Sequence, residues 1–265
     1  MLFKKIPIVK TGLTISLFVI LNFGFVNTVF SATSNLDNAV DQAGKQRMIT
    51  QRLLKDYAMV GMSLEYGNPR EDLKKMILQF NQTLDDLKTL SVNDEIDQSL
   101  QEIESLWQPI KVTLETDPEQ AKVSSLQRDL EVLLDVCHQN TGLISKASGS
   151  ESGEIINLAG RQRMLSQRLA SLYMLKVWGL DDPEFNDKLH KTMDEFSAAQ
   201  ETLEASSLTT PEIKKKLTQV KKSFFWFEMM GKSKSGKYTP SLISKSSDNM
   251  LVEMNEVTTL YATSK

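Results

Sequence analysis

Residues 43–57 read AGKQRMITQRLLKDY, and residues 159–173 read AGRQRMLSQRLASLY. Each residue of the second copy lies 116 positions after its counterpart, without a gap, from Ala43 and Ala159 to Tyr57 and Tyr173. A duplicated segment limits the fold more than any single motif, because the repeat unit must be one structural unit. Within it, a glycine interrupts a helical pattern, and arginines and a glutamine recur where packed faces are expected.

On a helix at 100° per residue, Arg47, Met48 and Gln51 fall within about 60° of Gly44, while Ile49, Leu53 and Tyr57 gather opposite. The apolar side suits the core of its own bundle. Glycine inside a helix costs about 0.5–1 kcal/mol relative to alanine. Keeping it twice in register implies that something approaches the backbone there, and the natural visitor is the other copy of the same helix.

From Asn35 onward the chain reads as successive helices, rich in Leu, Met, Gln, Glu and Lys, with apolar residues three and four apart. The first is expected over 34–66, ahead of Gly67-Asn68-Pro69. The second runs near 71–90 on a stripe of Leu73, Ile77, Phe80, Leu84 and Leu87. The third, near 95–116, carries Pro109, which should kink or shorten it. The fourth spans about 119–147. A second set of four repeats the plan, with its breaks at Gly179, near Ser206 and in the loop containing Gly236. The fold class is therefore all-α, as two tandem up-down-up-down four-helix bundles related by a pseudo-two-fold axis. The first bundle takes residues 33–147, a small polar linker 148–153, and the second bundle 154–265.

The N-terminus has a different character. Lys4, Lys5 and Lys10 precede an apolar run from Leu13 to Val26, with small residues at Ser31 and Ala32. This is the layout of a cleavable signal peptide over residues 1–32, pointing to a periplasmic or secreted protein. An uncleaved anchor is the alternative. Removing the leader takes three lysines and no acid from a net charge of −3, leaving −6, which disfavours nucleic acid as a partner. Cys137 is the one cysteine, so no disulfide forms within the chain, and a small buried side chain is expected.

Four antiparallel helices and a short linker would set the two repeated helices side by side and parallel, with Gly44 facing Gly160. Arg47 and Arg163 would then enter one pocket. No paired carboxylate stands out on that face, so an anion between the guanidiniums would resolve their repulsion, and their planar donors match a planar oxyanion. Gln51 and Gln167, one turn on, would complete or support the site. The alternative is a pair of structural arginines satisfied by carbonyls or acids elsewhere.

The stretch AGRQRMLSQRL resembles the first-helix motif of the NarX/PilJ-type sensor domain of nitrate-sensing kinases and chemoreceptors. The resemblance implies a periplasmic four-helix bundle that dimerises through its first helices. It also implies that the arginine three residues after the motif glycine, one from each copy, holds a single nitrate. By motif position these are Arg47 and Arg163, with Gly44 and Gly160 as the close-approach residues. This chain would be a covalent version of that homodimer. It shows Lys45 where the second copy has Arg161, and after the domains it shows no span, HAMP, kinase or methyl-accepting region. A binding protein without its own output is therefore expected, reporting nitrate or nitrite to a membrane sensor kinase, chemoreceptor or transporter.

Arg52 and Arg168 read as structural ion-pairing residues, and His138 and His190 as isolated from any metal-ligand pattern. The run Phe224-Phe225-Trp226-Phe227 with Met229 and Met230 cannot all face inward from one helix. Packing is its leading reading, and a docking surface for a protein partner the alternative. No enzyme motif, cofactor or metal site is expected.

Overall fold

The computed structural model describes residues 24–90, 92–231 and 239–263. The basic leader residues, most of the apolar run and the loop containing Gly236 lie outside them. Among the described residues there are eight helices: α1 (Gly24–Gly61), α2 (Pro69–Lys88), α3 (Asp94–Leu114), α4 (Gln120–Ser148), α5 (Glu151–Val177), α6 (Phe185–Ala205), α7 (Pro211–Gly231) and α8 (Pro240–Thr263). The stripe expected on the second helix is buried, and α4 buries one of its own. Leu73, Ile77, Phe80, Leu84 and Leu87 line α2, and Leu126, Leu130, Leu133 and Leu134 line α4. None of these helices is long and apolar enough to cross a membrane.

Within each set of four, every helix packs against its sequence neighbours and the last returns to the first, so α1–α4 and α5–α8 form two bundles. The most extensive packing of all is between α1 and α5, the two copies of the repeat. They run parallel: Asp37 meets Ser150 and Ser152, Gly44 meets Gly160, Gln51 meets Ser171, and Gly61 meets Trp178.

Three local expectations are corrected. The six-residue linker contracts to a two-residue turn. Gly149 takes the left-handed conformation (φ 60°) after α4, and Ser150 caps α5 by accepting from the Gly153 amide. Ser150 and Ser152 also donate to the Asp37 carboxylate at 2.7 and 2.6 Å, which orders a stretch that composition alone reads as loose. Pro109 does not end α3, which continues to Leu114, and it lies on the exposed face of the helix.

The third correction is the end of α1, at Gly61 instead of near residue 66. Leu64 donates to the Met59 carbonyl and Ser63 to Val60, a Schellman cap with Ser63 at φ 56°. The twin cap on α5 is made by Leu180 and Gly179, with Gly179 at φ 89°. The repeat thus extends to its caps, but the first copy places a serine where the second has glycine. Ser63→Gly is expected to raise stability by about 0.5–1 kcal/mol, read as a higher unfolding midpoint. A lower midpoint would contradict the strain assigned to this residue.

The tyrosine that ends each repeat ties its helix to the last helix of the same bundle. Tyr57 Oη accepts from the Glu119 amide at the start of α4, and Tyr173 Oη from the Thr239 amide at the start of α8. The aromatic run on α7 divides two and two. Phe224 and Phe227 are buried, with Phe224 stacked on Phe196 at 4.5 Å, while Phe225 and Trp226 are about half exposed.

Candidate functional site

Gly44 and Gly160 face each other where α1 and α5 touch. A Cβ built on either glycine would lie 3.6 Å from the other's Cα. The space at this contact is taken by the arginine tips. Arg163 Nη2 would stand 3.1 Å from a Gly44 Cβ, and Arg47 Nη2 3.1 Å from a Gly160 Cβ. A methyl at either position would meet the neighbouring backbone at ordinary contact distance and press on the opposite guanidinium by a few tenths of an ångström, and a larger side chain would press on both. This accounts for two glycines in helix interiors despite their cost.

Both arginines are buried, Arg47 at 0% and Arg163 at 1% exposure. Their hydrogen bonds follow the pseudo-symmetry. Arg47 Nη2 donates to the Asn157 carbonyl (3.0 Å), and Arg163 Nη2 to the Asp41 carbonyl (3.2 Å). Arg47 Nη1 donates to His138 Nδ1 (3.1 Å) on α4, and Arg163 Nη1 to Asn255 Oδ1 (3.3 Å) on α8. The Nε of each arginine is buried without a hydrogen-bond partner among the described residues.

Their charges are balanced differently. Asp41 Oδ1 lies 2.8 Å from Arg163 Nη2, an ion pair absent from the sequence reading, which found no acid for this face. The signal was present: Asp41 falls within about 60° of Gly44 on the same helical wheel. For Arg47 no carboxylate lies within ion-pair distance among the described residues. Burial, then the Arg163 and Arg161 charges, push its pKa down to about 9, so it remains cationic at neutral pH. For Asp41, burial favours the neutral form, but Arg163 and Lys45 outweigh it and hold the carboxyl below its ordinary value.

The two glutamines lie on the same helices but are engaged away from the arginine tips. Gln51 donates to Glu131 and accepts from Ser171, and Gln167 donates to the Ser247 carbonyl with its own oxygen unpartnered. Arg52 and Arg168 pair with acids as the sequence reading expects, Arg52 with Asp56 and Asp72, and Arg168 with Glu131. A cleft of about 380 Å³ opens between α1, α2, α5 and α8, reaches Arg163 at its floor, and is lined also by Lys45, Arg52, Lys75 and Asn255.

His138 is the site residue that sequence inspection set aside. Because the guanidinium donates, Nδ1 must be the unprotonated nitrogen and Nε2 must carry the hydrogen. Burial, then Arg47 and Arg161, lower its pKa, against weaker pulls from Asp135 and Glu195. The unfolded chain therefore binds this proton more readily. The stability that neutral His138 confers is complete above about pH 6.5 and falls as pH drops below that value. The Asp56 carboxyl, raised by burial to about 6, works in the opposite direction. The check is thus a difference: wild type should lose more stability than His138→Asn between about pH 7 and 5, since asparagine serves at the twin position. Equal loss would count against a strained neutral His138.

The chain matches the family model described as "Type IV pili methyl-accepting chemotaxis transducer N-term" over residues 29–132 and again over 146–224. No curated protein and no solved structure matches it. The two matched segments cover most of the chain, and each includes one copy of the repeated helix, the first reaching into α4 and the second into α7. Domains of this family are sensory and typically periplasmic or extracellular. The chain belongs to the PilJ family of chemotaxis-transducer sensory domains, with two copies of the domain in one polypeptide.

Proposed function

We propose that the protein binds a small planar monoanion, nitrate or nitrite, between Arg47 and Arg163 and reports its presence to a membrane partner. The observation that carries this reading is the convergence of two fully buried guanidiniums over Gly44 and Gly160 with, among the described residues, one carboxylate paired to them. Burying a cation is costly unless an anion accompanies it. A planar oxyanion can accept from two forked donors at once. Gly44 and Gly160 leave the backbone bare so that both guanidiniums can converge on the ligand, and Gln51 and Gln167 support the helices around it. Neutralising the pair would draw α1 and α5 together and change the angle between bundles, a difference that a sensor kinase, chemoreceptor or transporter could read. On this reading residues 1–32 are a leader that delivers residues 33–147 and 154–265 to the periplasm or exterior.

A ligand that binds only the folded state raises the unfolding midpoint, by about 2.7 kcal/mol of stability at a hundredfold excess over its Kd. Nitrate, and then nitrite, titrated into the protein in chloride buffer should produce this rise, and sulfate should not. The second reading is a helical interaction protein docking through α7, where Phe225, Trp226 and Met229 are each about half exposed. It is favoured if millimolar nitrate leaves the midpoint unchanged.

A further inference from the structure

The two halves of the arginine site differ in one charge. Asp41 on α1 and its counterpart in the second copy, Asn157 on α5, both offer a backbone carbonyl to the opposite arginine, but only Asp41 adds a carboxylate. That carboxylate is shared between two cations. Its Oδ1 is 2.8 Å from Arg163 Nη2, yet it is buried without an aligned hydrogen bond, and the Arg163 Nε is unpartnered as well. A second cation stands ready, since Lys45 Nζ lies 2.9 Å from Asp41 Oδ2. The twin of Lys45, Arg161, is bound instead to Glu195 on α6. Lys45 and Arg163 both line the cleft between the bundles, and the Asp41 carboxylate bridges the two, 2.9 Å from one and 2.8 Å from the other.

We infer that Asp41 is a built-in competitor for the anion site, occupying Arg163 until a ligand displaces it toward Lys45, and that it limits the site to single negative charges. This rests on the anion-binding reading above. With Asp41 held by Lys45, an anion between the two arginines still lies beside a carboxylate, and that repulsion is twice as large for a dianion as for a monoanion. The arrangement also makes the site one-sided: ligand release is assisted at Arg163 and not at Arg47.

The test is nitrate and sulfate titration by calorimetry of the wild-type protein, Asp41→Asn, Asn157→Asp, the exchange variant Asp41→Asn/Asn157→Asp, and Arg47→Met. Removing a like charge a few ångströms from the ligand should tighten nitrate binding on the order of tenfold and admit sulfate. Asn157→Asp should weaken nitrate binding by a similar factor, and the exchange variant should return near wild type. Asn157→Asp adds a counterion beside Arg47, so it tests the idea even where Asp41→Asn folds poorly. Wild-type binding that Arg47→Met abolishes but that neither position 41 nor 157 alters would overturn the competitor role alone. Absence of nitrate binding in every variant would overturn the anion-binding reading itself.

Discussion

Asp248→Ala is expected to destabilise the protein by about 3 kcal/mol. Lys55 is among the most buried side chains, at 1% exposure, and its ammonium lies 2.7 Å from Asp248 Oδ1 on α8. This ion pair joins the first bundle to the second. Removing the carboxylate leaves a desolvated ammonium, which costs far more than losing a surface pair. Asp56 lies 3.8 Å from the same Nζ, and Asp248 is itself 32% exposed, so the loss falls at the low end of the range for broken buried pairs. Lys55→Met/Asp248→Ala should recover most of the stability, because a methionine of similar length needs no counterion. Chemical denaturation of the three proteins measures this. A double variant as unstable as Asp248→Ala would show that packing of the aspartate, and not charge, holds the bundles together.

Arg47→Met should produce two effects of opposite sign. Without nitrate it should leave the protein as stable as wild type or about 1 kcal/mol more stable, because a buried, repelled guanidinium without a carboxylate gives way to an apolar chain. His138 is only partly buried and can turn its freed Nδ1 to water. With nitrate the variant should show no rise in midpoint. A structural arginine would behave otherwise: its loss would lower stability equally with and without nitrate. Arg163→Met should abolish the nitrate response too, but without the gain, since it strands Asp41 with Lys45 as its remaining cation. Equal behaviour of the two variants without nitrate would argue that Asp41 does not distinguish the two sides.

The helices could be read from the chain because their determinants are local. Apolar spacing, Asn68-Pro69, Asn93 and Pro211 all act within a turn of the residue they influence. The duplicated glycine and arginines could be read for the same reason: one helical wheel holds Gly44, Arg47 and Gln51 on one face. Asp41 falls on the same face of that wheel, but it lies just before the duplicated stretch and its counterpart is Asn157, so the repeat does not mark it. Ser63 could not be identified as a cap, since serine carries no mark of a left-handed φ and only the glycine at its twin position hints at it.

The sequence by itself determined that the chain is helical, that it contains one domain twice, and that two arginines and two glycines recur in register. Only the tertiary structure decided how those arginines are balanced. His138 reaches Arg47 from 91 residues away, Asp41 reaches Arg163 from 122, and Lys55 reaches Asp248 from 193. Such pairs are set by how helices pack, and packing is chosen by the total apolar surface buried, not by any one residue. A duplicated sequence folds into a symmetric frame. Among the positions where the copies differ, Asp41 against Asn157 and Lys55 against Ser171 acquire their meaning only once that frame brings Arg163 and Asp248 beside them.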